Sequence, residues 1–226
     1  MTGGLDGFDA AIVDLDGTMV DTLGDFVAAL NGMLSDLVLP AVSPEVVRPM
    51  VGKGSGHLIR SVLQHAGVPI EPHYDEAYGR YQFHYGAVNG LHSAVFPGVV
   101  EGLQALQAKG VRLACLTNKP TAFAKSLLAA KGLDGYFVTV FGGDAFDRRK
   151  PDPLPVRKTC EALGSVPART LMIGDSSNDA AAARAAGCPV VLVTYGYNHG
   201  EPLQGVDADG LFDSLAQVSS FRAARP

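Results

Sequence analysis

Acidic side chains follow an apolar segment near the start of the chain. Residues 10–13 indicate a buried strand, and Asp14 and Asp16 come directly after it. Asp175 and Asp179 follow a later apolar segment in the same way. Carboxylates that lie close together repel one another, and oxygen ligands of this kind suit a hard divalent cation such as Mg²⁺. The acid pattern therefore predicts a Mg²⁺ site formed by Asp14, Asp175 and Asp179.

A carboxylate is also a nucleophile for phosphoryl transfer. Attack by Asp14 on a phosphate would form an aspartyl-phosphate and divide one difficult hydrolysis into two easier steps. Asp16 would give a proton to the leaving oxygen and then take one from water. The Thr117 hydroxyl and the Lys150 ammonium, which also follow apolar segments, would hold the other phosphoryl oxygens. These residue types predict a phosphoryl-transfer site.

The elements that position these side chains can be predicted from the spacing of apolar residues. Five short segments rich in branched residues indicate strands, and they are residues 10–13, 111–116, 138–141, 171–173 and 190–193. Amphipathic stretches of helical length lie between the later strands, at residues 98–109, 121–131, 153–163 and 178–186. This alternation predicts an α/β fold with a Rossmann-like parallel sheet and helices on both faces. The polar residues then meet at the carboxyl edge of the sheet, where open α/β folds bind ligands.

A long segment separates the first two predicted strands. About 95 residues intervene, whereas a crossover connection usually needs far fewer. The segment has helical patterns at residues 22–37, 56–65 and 71–85 and no convincing strand, and the chain returns near residues 92–99. We therefore predict a helical cap domain at residues 20–90, inserted into a catalytic core of residues 1–19 and 91–226. Asp21 is expected to be the N-cap of the first cap helix.

The composition narrows the classes of partner. The net charge of −5 provides no basic surface for nucleic acid, and no apolar run approaches the ~20 residues that span a bilayer. The three cysteines are widely spaced, which argues against a disulfide framework, and the N-terminus lacks a signal-peptide pattern. We expect a cytoplasmic protein, a monomer or homodimer, that acts on a small phosphoester and binds neither nucleic acid nor membrane.

Four ordered motifs make the chain similar to the haloacid dehalogenase-like superfamily. The motifs are DLDGT from Asp14 to Thr18, LTNK with Thr117, RKPDPLP with Lys150, and GDSSND with Asp175 and Asp179. They lie in the order of that family and extend from the start of the chain to residue 179. The resemblance implies a phosphatase with a Rossmann-like core and a mobile helical cap.

The resemblance also implies a role for each matched residue. Asp14 is the expected nucleophile and Asp16 the expected acid and base, with Thr117 and Lys150 as phosphate ligands. The expected Mg²⁺ ligands are Asp14, the backbone carbonyl of Asp16 and Asp175, with Asp179 in support. Met19 stands where Leu is usual in the family, a change that conserves volume.

Softer similarities point to a subfamily. VGKGSGHLI in the predicted cap and TYGYNHGEPL near residue 200 resemble bacterial phosphoglycolate phosphatases, which implies 2-phosphoglycolate as the substrate. The alternatives are a β-phosphoglucomutase-like phosphosugar mutase or a sugar phosphatase. A phosphonoacetaldehyde hydrolase fits less well, because that family keeps no acid at the position of Asp16. A non-enzymatic phosphoacceptor module fits poorly, since such modules are shorter and lack the insertion.

Three further residues are open to two interpretations. Asn118 and Lys119 either support the substrate site from behind Thr117 or are polar residues at a helix start, and Asn118 is a candidate substrate ligand. Lys53 lies in the glycine-rich GKGSG segment, which has no preceding strand and lacks the spacing of a P-loop. Lys53 either contacts the carboxylate of the substrate or belongs to a flexible loop that starts a helix.

Overall fold

The computed structural model describes residues 7–222. Within them the strands are β1 (Ala10–Val13), β2 (Val20–Asp21), β3 (Ala94–Val95), β4 (Arg112–Leu116), β5 (Thr139–Phe141), β6 (Thr170–Gly174), β7 (Val190–Val193) and β8 (Gly210–Phe212). The helices are α1 (Leu23–Asp36), α2 (Pro44–Val47), α3 (Ser55–His65), α4 (Ile70–Val88), α5 (Val99–Ala108), α6 (Thr121–Ala130), α7 (Leu154–Ala162), α8 (Ser177–Ala186) and α9 (Leu215–Val218).

Six strands form a parallel sheet in the order β5-β4-β1-β6-β7-β8. β1 lies near the centre, where Val13 is paired with Cys115 of β4 on one side and with Ile173 of β6 on the other. The chain first extends the sheet from β4 to β5 and then returns to the opposite side at β6. The carboxyl end of β1 is therefore the topological switch point, where open α/β sheets bind ligands.

Both faces of the sheet are covered, as the alternation of side chains along β1 shows. Ala11 and Val13 pack in the apolar core beneath α5, α6 and α9. Ala10 and Ile12 point to the opposite face and pack beneath α7 and α8. All four side chains are fully buried, and burial of a side chain as large as Ile12 contributes about 1.5–3 kcal/mol. The predicted α/β fold class, a parallel sheet with helices on both faces, is confirmed.

The helices α1 to α4 have an apolar core of their own. Leu30 and Met33 of α1, Leu63 of α3, and Tyr81 and Tyr85 of α4 are buried in it. The predicted inserted helical cap is therefore present between β2 and β3. The exact domain limits at residues 20 and 90 stay a prediction.

The structure differs from the sequence-based prediction in three short strands. β2 and β3 form an antiparallel two-stranded ribbon, in which Val20 is paired with Val95 and Asp21 with Ala94. Strands of two residues are too short to give an alternating pattern, so none was predicted there. β8 was also missed, because Gly210 begins a three-residue edge strand with a single branched residue. The ribbon contains both connections between the cap helices and the sheet.

Two features of the described residues bear on partners and on redox state. No helix in residues 7–222 combines the length and apolar character needed to cross a bilayer. Cys115, Cys160 and Cys188 are buried free thiols, and the Sγ atoms of Cys160 and Cys188 lie 3.8 Å apart.

Candidate active site

A tight turn follows β1 and carries its two acids. The Leu15 carbonyl accepts hydrogen bonds from the amides of residues 18, 19 and 20, and the Gly17 amide donates to the Val20 carbonyl at 2.9 Å. Gly17 has a φ of 83°, and a Cβ there would lie 2.4 Å from Asp175 Oδ2. Only glycine both adopts this conformation easily and leaves room for Asp175. The turn thereby brings Asp14 and Asp16 next to the loop after β6.

Three acids and one lysine converge at this edge of the sheet. One carboxylate oxygen from each of Asp14, Asp175 and Asp179 lies within 4.8 Å of the others, and all three residues are buried. Lys150 Nζ lies 3.0 Å from Asp14 Oδ1 and 2.6 Å from Asp179 Oδ1. Its third contact is the Leu116 carbonyl, at 2.8 Å. The four side chains form one buried charged cluster.

Hydrogen bonds fix the orientation of the two acids that follow β6. Asp179 Oδ2 accepts from the Ser176 hydroxyl at 2.8 Å and from the amides of Ser176 and Asp175, in a capping box that begins α8. Asp175 accepts from the Thr18 hydroxyl at 3.1 Å and from the Tyr197 amide at 2.7 Å. Both oxygens of Asp179 have donors, which suits a supporting role better than direct attack on a substrate.

The pKa values report the crowding of negative charge. Burial, together with the neighbouring acids, raises the pKa of Asp14 to about 8, even though Lys150 opposes the shift. Burial and the charge of Asp179 raise the pKa of Asp175 to about 7. Burial alone would lower the pKa of Lys150, but the charges of Asp14 and Asp179 raise it above its ordinary value. One ammonium group does not fully compensate three buried carboxylates.

A hard divalent cation fits this donor set. Carboxylate oxygens from Asp14 and Asp175 are close enough to share one ion, and Mg²⁺ is bound in proteins through one or two carboxylates plus substrate phosphate. Asp14 Oδ1 accepts from the Leu15 amide and contacts Lys150, whereas no described residue donates a hydrogen bond to Asp14 Oδ2. The raised pKa values of the acids mean that their negative charge is not fully balanced, and a cation would also supply the missing positive charge.

Asp16 has a different partner from the other acids. Lys119 Nζ donates to Asp16 Oδ1 at 2.8 Å, and the Lys119 side chain is only 2% exposed. The ammonium also lies 4.6 Å from the centre of the Phe26 ring and 4.9 Å from that of Tyr85. The sequence placed Lys119 close to Thr117 but left its role open, because adjacency in LTNK does not reveal a contact with Asp16, which is 103 residues away in the chain.

Thr117 and Asn118 occupy different places in the site. Thr117 is buried and lines a pocket together with Asp14 and Asp16, and its hydroxyl accepts from the Lys119 amide at 3.2 Å. The Asn118 amide group donates to the Lys150 carbonyl at 2.9 Å and to the Gly52 carbonyl at 3.0 Å. Asn118 therefore connects the Lys150 loop to the cap while also lining the pocket.

The cap loop at residues 51–55 closes the pocket from above. Gly52, Gly54 and Ser55 line it, and the Gly52 carbonyl also accepts a hydrogen bond from the Asn178 side chain at 3.2 Å. Lys53 is exposed and is absent from the residues that line this pocket. The structure thus brings the predicted site residues of the sheet domain together and leaves Lys53 at the outer surface of the cap loop.

Asp21 has a contact that the sequence did not indicate. The N-cap of α1 is Thr22, so the prediction that Asp21 caps this helix is wrong by one position. Asp21 Oδ1 accepts from the Tyr197 hydroxyl at 2.7 Å and from the Leu23 amide at 3.3 Å. The Tyr197 hydroxyl in turn accepts from the amides of Thr22 and Leu23 at 2.8 and 3.1 Å. Tyr197 therefore connects the start of α1 to Asp175.

Comparisons with known proteins agree on one family. A family model described as haloacid dehalogenase-like hydrolase matches residues 8–187. A phosphoglycolate phosphatase of Thiobacillus denitrificans is 45% identical over 213 residues, which cover 93% of each chain. A plasmid-encoded phosphoglycolate phosphatase of Cupriavidus necator is 45% identical over 94% of this chain and 92% of its own. The crystal structure of a predicted phosphoglycolate phosphatase from Haemophilus somnus has a TM-score of 0.90 and 35% identity, covering 95% of this chain and 97% of its own.

Proposed function

We propose that this chain, which belongs to the haloacid dehalogenase-like hydrolase family and is a phosphatase, hydrolyses 2-phosphoglycolate in a Mg²⁺-dependent reaction. The observation that carries the proposal is the buried cluster of Asp14, Asp175, Asp179 and Lys150 beside a pocket lined by Asp16 and Thr117. The cluster supports a phosphoryl-transfer site because it combines a carboxylate nucleophile with positive charge for phosphate oxygens.

In the first step Asp14 attacks the phosphorus atom. Asp14 Oδ2, which accepts no hydrogen bond from a described residue, forms the new P–O bond, and the bond to the leaving oxygen breaks. Asp16 gives its proton to that oxygen, which leaves as the hydroxyl group of glycolate. Lys150 and the Thr117 hydroxyl bind non-bridging oxygens and lower the cost of the charge that develops on them.

In the second step water hydrolyses the aspartyl-phosphate. Asp16, now a carboxylate, takes a proton from the attacking water, and the P–O bond to Asp14 breaks to release phosphate. Asp14, the backbone carbonyl of Asp16 and Asp175, with Asp179 in support, would hold Mg²⁺, which would supply electrostatic stabilisation of the phosphoryl group. Asp175 keeps its orientation through the Thr18 hydroxyl and the Tyr197 amide.

The choice of substrate is supported by the relatives and by the cap. Two relatives named phosphoglycolate phosphatase share 45% identity over more than nine-tenths of the chain. The cap loop touches the core through Asn118 and Asn178, which leaves a small pocket and excludes bulk water from the reacting groups. Cap opening would then admit the substrate and release the product.

The same proposal includes the domain limits, two further substrate contacts, the cellular location and the oligomeric state. The cap domain comprises residues 20–90 and the catalytic core residues 1–19 and 91–226. Asn118 contacts the substrate as well as the cap loop, and Lys53, exposed in this closed arrangement, contacts the substrate after the cap loop turns its side chain towards the pocket. The chain acts in the cytoplasm as a monomer or homodimer.

A phosphate-release screen tests the function. Purified protein with Mg²⁺ is assayed against about two dozen small phosphoesters, and we expect the highest kcat/KM for 2-phosphoglycolate. Asp14→Asn is expected to lower kcat at least ~10³-fold, because the amide is not a nucleophile. The matched control is Asp207→Asn, at a side chain that is 80% exposed, which is expected to keep full activity. Substantial turnover after removal of divalent cations with EDTA would contradict the metal-dependent mechanism.

Lys53 has its own test. If it contacts the substrate, Lys53→Ala raises KM for 2-phosphoglycolate by about 10-fold and changes kcat little, because the contact contributes to binding alone. An unchanged KM would assign the exposed loop residue no part in binding.

A further inference from the structure

Lys119 is a buried cation that the steps above do not use. Its side chain is 2% exposed, and burying an ammonium group is costly unless it is well paired. Lys150, which lies between Asp14 and Asp179, already provides the positive charge next to the nucleophile. Lys119 is therefore a second buried lysine, on the pocket that Asp14 and Asp16 line, and the role of Lys150 does not explain it.

The hydrogen-bonding capacity of Lys119 is only partly used. An ammonium group has three N–H donors, and among residues 7–222 its only acceptor is Asp16 Oδ1. The other neighbours are the rings of Phe26 and Tyr85, which attract a cation but accept no ordinary hydrogen bond. Since Lys119 lines the pocket with Asp14 and Asp16, its remaining donors are available to a ligand there.

Tyr85 provides a second unused polar group on the same pocket. It is 1% exposed and lines the pocket, and its hydroxyl has no hydrogen-bond partner among the described residues. A buried polar atom without a partner costs about 1–3 kcal/mol, so a ligand that pairs with it recovers that energy. Lys119 belongs to the core and Tyr85 to cap helix α4, so the two meet only when the cap is closed.

The start of α3 adds to the positive character of the same pocket. α3 begins at Ser55, Gly54 precedes it as N-cap, and no side chain caps its first amides. Gly54 and Ser55 both line the pocket. A helix N-terminus favours a negative charge nearby, and it does so here at the side of the pocket that the cap contributes.

We propose that Lys119 and Tyr85 form a carboxylate-binding subsite for a phosphorylated acid. This subsite rests on the proposed function, and its residues are those that select the substrate. In 2-phosphoglycolate the carboxylate carbon is two covalent bonds from the bridging oxygen that Asp16 protonates. An ammonium group in contact with Asp16 is therefore within reach of that carboxylate. A substrate without a carboxylate leaves the donors of Lys119 and Tyr85 unpaired and desolvated, which penalises its binding.

The test compares two esters of similar size in each variant. Ethyl phosphate replaces the carboxylate of 2-phosphoglycolate with a methyl group, and the ratio of the two kcat/KM values measures recognition of the carboxylate. Lys119→Met keeps the length of the side chain and its packing between the rings. We expect the ratio to fall about 100-fold in this variant, because truncating one partner of a buried charge pair has effects of that size.

Matched variants distinguish an effect of the subsite from other causes of a change in the kcat/KM ratio. Lys125→Met makes the same chemical change at an exposed position of α6 and is expected to leave the ratio unchanged. Tyr85→Phe keeps the ring and removes only the hydroxyl, and we expect it to lower the ratio about 5-fold. Lys53→Met, assayed in parallel, is expected to lower the ratio less than Lys119→Met. Thermal unfolding establishes that each variant folds, and if Lys119→Met does not, the ratio for Tyr85→Phe decides.

The outcomes distinguish failure of the subsite from failure of the function. An equal loss for both esters in Lys119→Met would mean that Lys119 acts only through Asp16, and it would overturn the subsite. A ratio lost in Lys53→Met but kept in Lys119→Met would assign the carboxylate to Lys53 and would also overturn it. A wild-type protein that hydrolyses both esters equally would refute the subsite while keeping the phosphatase activity. Failure of the wild type with Mg²⁺ to release phosphate from any ester would overturn the proposed function itself.

Discussion

At the scale of single residues, the site depends on the absence of a side chain at Gly17. Gly17→Ala places a Cβ 2.4 Å from Asp175 Oδ2 at a φ of 83°. We expect this variant to lower kcat at least 10-fold and to destabilise the protein by about 2–3 kcal/mol, because strain and displacement of Asp175 add together. Enzyme assays and urea unfolding measure the two effects.

Gly110→Ala is the matched control for this prediction. Gly110 has a similar φ of 77°, and a Cβ there would have nothing within 4 Å. The control therefore carries the left-handed backbone strain of about 1 kcal/mol without the clash, and it is expected to keep its activity. Equal activity of the two variants would argue against the close approach of Gly17 to Asp175.

The raised pKa values of Asp14 and Asp175 predict how stability depends on pH. Their unfolded value is near 3.8, and their folded values without metal are about 8 and about 7. Between these limits the folded state binds more protons than the unfolded state, so the free energy of unfolding falls as pH rises. In EDTA we expect Tm to decrease from pH 5 to pH 8.5.

Metal and mutation provide the controls for this pH dependence. Mg²⁺ is expected to raise Tm more at pH 8 than at pH 5, because protonated carboxyls bind the cation poorly. Asp14→Asn is expected to show a shallower decrease than the wild type, since one of the two titrating carboxyls is gone. A Tm in EDTA that rises across this pH range would contradict the assigned charge states.

At the scale of elements, Tyr197 connects the start of α1 to Asp175 of the buried acid cluster. The hydroxyl of this buried residue contacts Asp21, Thr22 and Leu23, while its amide donates to Asp175. The contact with Asp21 lies in the β2–β3 ribbon that joins the cap to the core. We infer that the position of the cap and the orientation of Asp175 are coupled through this residue.

Tyr197→Phe tests that coupling. We expect a loss of about 1–3 kcal/mol in the free energy of unfolding, because two amides at the start of α1 lose a buried acceptor. We also expect faster hydrogen exchange at residues 22–24, measured by mass spectrometry. Tyr136→Phe is the control, since within residues 7–222 the Tyr136 hydroxyl forms a hydrogen bond only with the exposed Gln104 side chain. Equal exchange in the two variants would refute the coupling.

The elements that the sequence predicted are those with enough residues to give a period. β1 and β7 coincide with their apolar segments, and α6 begins where predicted at Thr121. The β2–β3 ribbon was missed because two residues have no alternation, although it determines where the cap is attached. The predicted N-cap, Asp21, was wrong by one position because the main partner of Asp21 is Tyr197, which is 176 residues away. Such long-range contacts leave no local signal in the chain.

The residues of the candidate site also divide into those that the sequence could place and those that it could not. Asp14, Thr117, Lys150 and Asp175 could be placed together because each follows a strand of one parallel sheet. The contact between Lys119 and Asp16 could not be foreseen, since it depends on how the side chain lies between Phe26 and Tyr85 of the cap. The packing of cap against core, which determines that contact, is a tertiary property.

At the scale of the whole molecule, the cap and the sheet have separate apolar cores. We therefore predict that the cap can be removed without unfolding the rest of the protein. Asp21 and Ala94 are paired across the ribbon, so a short Asn-Gly turn can join them in place of residues 22–93. We expect this shortened chain to fold, with a cooperative thermal transition, and to hydrolyse 2-phosphoglycolate at least ~100-fold more slowly, because water enters the site and Tyr85 is lost. A shortened chain without a cooperative transition would contradict independent folding of the core.

The position of the insertion also has a consequence for synthesis on the ribosome. β1 is made first, but its neighbours β4 and β6 begin at Arg112 and Thr170, about 100 and 160 residues later. At ~5–20 residues per second, the central strand waits several seconds or more without a partner while the cap helices, which are contiguous in the chain, already pack. An unpaired apolar strand recruits other chains. We therefore expect nascent chains released before Leu116 to aggregate, so that complete translation through β4 is the first condition for a soluble enzyme.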